Sequence, residues 1–333
     1  MIREKRFGRL CATFLITGFL LVLACYWAIG VGGIDVTKSE LFRGLFFEYN
    51  RDVAIIIQLR FPRIIVAILG GAMMAMAGVM MQAVMRNPLA DPGIIGINSG
   101  AATAAVLVMA LAPEIAGFTP VFAFLGGMLA FGMVFLMSHG SEMNPVRLIL
   151  TGVAVNAFFT GIYEAFQAAT GSSYTGAQNI VEANISLESW SDVKYILVYF
   201  LISLILAVGV IPFCNLLGFS DQTLGNLGIH VGRVRMMVSI VAVFMAAVFT
   251  AMVGAVSFLG LIVPHVARML VGSNHKVVLP YSALLGSLIL LVADTVGRAL
   301  FYPYEISAAI LMSILGGPLL MILLRRSGKI NGM

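Results

Sequence analysis

Residues 60–101 read RFPRIIVAILGGAMMAMAGVMMQAVMRNPLADPGIIGINSGA. Between Arg63 and Arg86 this stretch carries no charge. A helix crosses the bilayer's hydrocarbon core with about 20 mostly apolar residues, so the run is long enough to span it. Pro88 and Pro92 then halt helix formation, since proline lacks the amide proton and disfavours helical geometry in the residue before it. The chain turns apolar again just beyond. A span, an irregular hairpin and a second span are the reading that sets the fold class.

The rest of the 333 residues agrees with that reading. Apolar side chains make up 60% and charged ones 11%, against roughly 45–50% and about 25% in soluble domains. Disorder, a collagen repeat and a disulfide scaffold are excluded. Apolar runs at about 10–31, 59–84, 93–112, 119–138, 147–170, 193–214, 236–256, 258–271, 277–298 and 306–325 predict an all-α, polytopic membrane bundle of about ten helices. The eighth run is short and contains Pro264, His265 and Arg268, so neighbouring helices or water must shelter it. The longest polar stretches, about 32–58, 171–192 and 215–235, are too small for a soluble domain, and residues 1–333 read as one membrane domain.

Ten alternating spans with the N-terminus inside place 13 of the 20 Lys and Arg on the inner side, including Arg86, Arg147, Arg233, Arg235 and Arg325-Arg326. The positive-inside rule supports that orientation, and nine spans would move Arg325-Arg326 outside. The run from Leu10 to Gly30 is longer than a typical signal core, so a retained first span is expected despite the lipoprotein-like Leu23-Ala24-Cys25. Cys11, Cys25 and Cys214 show neither paired nor metal-ligand spacing. Small residues recur from Gly71 to Gly78 and at Ala123, Gly126 and Gly127, where helices can approach closely. Packing within one chain is the expected use.

No phosphate loop of the G-x-x-x-x-G-K-[ST] type, H-E-x-x-H pair or G-x-S-x-G elbow occurs, so no catalytic residue is assigned. Four segments nonetheless carry polar groups that a lipid-facing bundle has no use for: Arg60–Ala101, Arg147–Phe159, Leu224–Arg235 and Gly254–Pro280. With RNPLADP and GLIVPHVAR in order and about 170 residues apart, the chain from about 60 to 325 resembles the FecCD-type permeases of ATP-binding-cassette importers. The resemblance implies a homodimer of ten-helix subunits in the bacterial plasma membrane, with both termini cytoplasmic. It also implies two cytoplasmic ATPase subunits and an extracytoplasmic substrate-binding protein. The substrate would be an iron-siderophore, haem or a corrinoid such as cobalamin. This chain itself is expected to hold no cofactor or metal; ATP and Mg belong to the ATPase partners, and nucleic acid is not a partner.

Site residues follow from the resemblance set beside the local chemistry. The polar loop at about 215–235 would couple to the ATPase through Leu224, Gly225, Leu227, Gly228, Arg233 and Arg235; the plain alternative is an anchoring loop. Arg60, Arg63 and Arg298 fall on the outer side against the orientation rule, and the family docks acidic residues of its binding protein onto such arginines. Their alternative is helix-end anchoring, with Arg298 paired to Asp294 one turn earlier. Asn87 and Leu89 in the RNPLADP hairpin, and Ser141 and Asn144 before the fifth span, are gate candidates. Tyr163, Glu164 and Gln167 share a face of that span, which lines the pathway in the family; a glutamate reaching to the outer interface is the alternative.

Two stretches depart from the family pattern. Ser307 and Ala309 stand where Pro and Gly are usual, and residues 179–186 read NIVEANIS where Trp and Gly-Ser-Leu are common. Both lie near the outer mouth and put any transfer of substrate from a family member in doubt. The rival function class, a stand-alone secondary transporter or channel, would need ion-coupling acids in the spans, and Glu164 and Asp294 are the only convincing ones.

Overall fold

The computed structural model describes residues 2–32, 40, 43, 47, 50–138, 145–170, 180, 183–186, 188–300 and 304–330. Among them are eleven α-helices and no strand: α1 (Ile2–Gly30), α2 (Arg51–Met85), α3 (Ile97–Leu111), α4 (Thr119–Ser138), α5 (Pro145–Thr170), α6 (Trp190–Leu216), α7 (Asp221–Asn226), α8 (Val231–Met252), α9 (Leu259–Val271), α10 (His275–Leu300) and α11 (Ala308–Ile330). Each of the ten apolar runs falls on its own helix, and α7 is a single short helix inside the polar loop. Among the described residues six helices are long and apolar enough to cross a membrane, among them α2, α6, α8 and α10, while α3, α9 and the Ala308–Ile322 part of α11 are shorter apolar helices.

The expectation of one short span therefore becomes two. Helix α3 has 15 residues because the chain after Pro92 is held in turns before it can become helical. The Asp91 carboxylate accepts the amides of Gly93 at 2.8 Å and Ile94 at 3.2 Å. Gly96, at φ 88°, delays the helix to Ile97.

Helix α2 is the axis of the bundle, packed by α6, α8, α9 and α10. Its buried face is largely methionine, glycine and alanine, and Met73, Met74, Met76, Met80 and Met81 are sealed from solvent. Close crossing explains the glycines. A Cβ on Gly71 would lie 2.4 Å from the Gly286 carbonyl oxygen of α10, and one on Gly78 would lie 2.1 Å from that of Gly260 in α9. Gly126 of α4 meets Gly100 of α3 in the same way. With no water to expel between lipid-exposed helices, such contacts supply dispersion attraction that bulkier residues would prevent.

Helices α1 and α6 lie at the periphery, where exposed Leu15, Phe19, Leu197 and Ile205 suit acyl chains. Helix α1 is nonetheless held to the bundle. Thr17 and Tyr281 share a hydrogen bond of 2.9 Å, and Phe14 packs edge-on against Tyr281.

Between α8 and α9 the chain leaves helical geometry at Gly254 (φ 102°) and Phe258 (φ 69°). Its polar groups are met by protein: Ala255 donates to the Ile180 carbonyl at 3.0 Å, and Asn98 Nδ2 donates to that of Val256 at 3.2 Å. Non-helical backbone at membrane depth persists only when lined in this way.

Candidate functional site

At one end of the bundle two arginines meet two acids, with a third arginine nearby. Arg63, from α2, donates through Nε and Nη2 to Asp294 of α10 at 2.8–3.1 Å, and through Nη1 to Glu305 at 2.8 Å and to Ser186 at 3.0 Å. Ser186 in turn donates to Glu305 at 2.7 Å. Arg298, one helical turn beyond Asp294, has Nε 3.5 Å from it and donates to the Ala28 and Val31 carbonyls, both at 3.2 Å. Arg60 donates to the Ile29 carbonyl. Ordered guanidinium–carboxylate contacts of this kind are strong because both partners are ionised and the fork geometry fits.

Burial changes the reading of these arginines. Arg60, Arg63 and Arg298 are 7%, 6% and 5% exposed and Asp294 is 1% exposed. They are therefore not the freely presented outer cations that the sequence suggested. A docking partner would have to draw them out of a network internal to the chain. Glu305 is the accessible member. Its burial would raise the carboxyl's pKa, but the Ser186 hydroxyl and the Arg63 guanidinium outweigh that and hold it below the ordinary glutamate value. The cluster borders a cavity of about 700 Å³ lined by Arg63, Asn184, Asp294, Glu305, Ser307 and Ser313. Ser307, one departure from the family pattern, lines this cavity, and Ser186, from the other departing stretch, bonds to Arg63 and Glu305 at its border.

A neighbouring cavity of about 350 Å³ holds Glu188, Asp192, Thr119 and Tyr195. Burial, and secondarily the negative Asp192, push the Glu188 carboxyl up to about 8, so it is largely protonated at neutral pH.

On α5, Glu164 is exposed while Tyr163 and Gln167 are partly buried, and the helix also exposes Asn156 and Gly161. The same helix exposes Leu150, Val153, Phe158 and Ile162, so its outer surface mixes polar and large apolar groups. Tyr163 packs on the cluster formed by Ala101, Ala105, Ala123 and Ala247.

The opposite end carries the hairpin and the polar loop. Arg86 closes α2 in a left-handed conformation. Asn87 is buried and accepts the Leu89 amide at 2.9 Å, while Leu89 itself is partly exposed. Ser141 and Asn144 lie outside the described residues.

Helix α7 starts on Ser220, whose hydroxyl accepts the Thr223 amide at 3.1 Å. Leu224 is fully buried beneath it, and Ile229 donates back to the Leu224 carbonyl at 3.0 Å. Gly225, Leu227, Gly228 and Arg233 remain exposed. Asp221 pairs with Arg86 at 2.7 Å and Arg235 at 3.1 Å, which ties the loop to α2 and α8. Arg86 also donates to the Leu217 carbonyl at 2.9 Å. Sequence reasoning missed this tie, as it missed Glu305 and Ser186 at the other end. The available signal was an isolated acid, Asp221, in the loop that runs into Arg233 and Arg235.

Comparison with known proteins fits this geometry along its length. Residues 20–326 match the model of the FecCD transport family. The probable heme-iron transport system permease protein IsdF of Staphylococcus aureus (strain Newman) is 36% identical over 319 residues, covering 95% of this chain and 96% of that one. The counterpart from strain bovine RF122 / ET3-1 is 35% identical over the same length.

Among solved structures, a metal-chelate type ABC transporter in an inward-facing conformation matches with a TM-score of 0.77 at 27% identity, over 95% of this chain and 99% of that one. PsaBC from Streptococcus pneumoniae, solved with a Fab, shares the fold alone, with a TM-score of 0.62 at 15% identity over 86% and 95% of the two chains. The protein is a multi-pass membrane protein whose role is transport rather than catalysis. A family match across all but the two ends of the chain, with relatives of equal length, means that the chain belongs to the FecCD transport family.

Proposed function

We propose that this chain is the membrane-spanning subunit of an ATP-driven importer for haem or another iron chelate, working as a homodimer with two ATPase subunits and an extracytoplasmic binding protein. The observation that carries this reading is the 36% identity to a heme-iron permease along nearly the whole of both chains. The exposed and doubly tethered α7 loop supports it, because a coupling element has to be accessible to a partner and stiff enough to transmit movement. Siderophores and corrinoids stay within the proposed class, since the outer cavity is lined by Ser307 and Ala309, where the family pattern differs.

The excess of Lys and Arg on the α7 side supports placing both termini and that loop in the cytoplasm. The Arg60, Arg63 and Arg298 cluster then faces outward. Acidic groups on the binding protein would dock there by displacing Glu305, the exposed carboxylate of the network, from Arg63. The RNPLADP hairpin, through Asn87 and Leu89, would contribute to the inner gate.

Co-expression with the cognate ATPase tests the central reading. The ATPase is expected to co-elute with the permease through detergent purification. A permease that purifies alone and still moves substrate under an ion gradient would instead be a secondary transporter.

The pathway assignment of Glu164 has its own test. In a background lacking Cys11, Cys25 and Cys214, Glu164→Cys is expected to react with a water-soluble thiol reagent applied from outside. Substrate-loaded binding protein should slow that labelling several-fold. Equal rates with and without the loaded partner would place residue 164 at the lipid interface.

A further inference from the structure

Besides the outer cavities, a pocket of about 310 Å³ opens at the α7 end of the bundle, between the ends of α2, α6, α9 and α10. Gln82, Arg86, Asn87, Arg268, Ser273 and His275 line it, and no carboxylate does. Arg86 is satisfied by Asp221 and by backbone carbonyls. Arg268 is different. Among the described residues its buried Nη2 has no hydrogen-bond partner, and no acid is paired with it.

Asn87 supplies a second, independent sign. It is 6% exposed; its Oδ1 accepts the Leu89 amide, while its Nδ2 is buried and donates to nothing. A buried donor left unmet is costly, and a buried cation without a counter-charge more so. Two such donors lining one cavity describe a site whose missing component is an anion.

The setting indicates what carries that anion. Cys214, Leu217 and Gly218, at the end of the peripheral helix α6, form part of the wall. A charged pocket at a bundle end beside a lipid-facing helix suits a molecule with an ionic head and hydrocarbon tails. Basic pockets between helix ends at the membrane surface take anionic headgroups for this reason. With about 30 Å³ per water in the liquid, 310 Å³ corresponds to about ten waters, room for a phosphodiester and its glycerol.

We infer that this pocket binds the phosphate of an anionic phospholipid, with Arg268 as counter-ion and Asn87 Nδ2 as second donor. Bound there, the lipid sits between the RNPLADP hairpin and the segment leading into α7, touching both elements that border Arg86. A zwitterionic lipid brings the same phosphate but also a cation that finds no acid in the pocket, so the site should discriminate between the two.

The test uses full-length permease in a non-ionic detergent, with retained lipid counted by native mass spectrometry and thermal stabilisation followed in parallel. Phosphatidylglycerol and phosphatidylcholine of identical chains, and inorganic phosphate alone, are the three probes. Wild-type protein is expected to retain phosphatidylglycerol about tenfold more than phosphatidylcholine, because the choline cation would lie beside Arg86 and Arg268 with no acid to pair it. Arg268→Gln should bring that preference close to one.

Asn87→Asp, nearly isosteric but of the same sign as the ligand, should do likewise and keeps the test readable if Arg268→Gln does not fold. A preference unchanged in both variants overturns the site. Stabilisation by inorganic phosphate equal to that by phosphatidylglycerol overturns the lipid as its occupant.

Discussion

Replacing Leu227 and Gly228 together with glutamate is expected to abolish ligand-stimulated ATP hydrolysis in the reconstituted complex, a loss of tenfold or more, while the permease stays folded. The geometry separates those two outcomes. Leu227 is 68% exposed, so a charge there disturbs no core. Leu224 anchors the loop from within, and Asp221 holds it to Arg86 and Arg235. Gly228 has a φ of 75° and nothing within 4 Å of where a Cβ would lie, so a side chain meets only the backbone preference against the left-handed region. That preference is worth about 1–2 kcal/mol, which would shift the loop without unfolding eleven helices. Leu227→Glu alone isolates the lost contact from the backbone effect. Stimulation at the wild-type level in both variants, measured as ATPase rate against loaded binding protein, would remove α7 as the coupling element.

The second large effect is expected at Arg63. Arg63→Ala strands Asp294, at 1% exposure, with only the longer 3.5 Å contact to Arg298. Removing one partner of a buried pair costs about 3–5 kcal/mol because the remaining charge stays desolvated. Thermal midpoint in detergent should fall accordingly.

Replacing the pair by apolar residues, Arg63→Met with Asp294→Leu, should recover part of that stability, since Asp294 is no longer stranded, although Arg298 loses its 3.5 Å contact and keeps only the Ala28 and Val31 carbonyls. The double variant also distinguishes the two roles assigned to the cluster. If Arg63 docks the binding protein, association stays weakened and less salt-sensitive although the fold is restored. If affinity and salt dependence return with stability, the arginine serves the fold alone.

Much of this architecture could be read residue by residue. The number and order of helices follow from apolar run lengths, because each span must individually match the thickness of the hydrocarbon and satisfy its own backbone. The position of the polar loop at 215–235, the hairpin at Pro88 and Pro92, and the close-packing glycines of α2 follow equally from local chemistry. These properties depend on a residue and its near neighbours, which is why a pattern along the chain reports them.

What only the tertiary structure decided is where the charges go. Arg63 reaches Asp294 across 231 positions and Glu305 across 242, and Arg86 reaches Asp221 from another helix. Hydropathy could place Arg60, Arg63 and Arg298 at one end of the bundle, yet it made them surface cations when all three are buried and Arg63 and Arg298 share Asp294. The shortness of α3 was hidden for a related reason: Asp91 and Gly96 hold the preceding residues in turns that an apolar run does not reveal. A buried ion in a low-dielectric interior is tolerated only beside a partner of opposite charge. In a bundle, that partner is chosen by how helices distant in sequence cross, and no local pattern encodes the crossing.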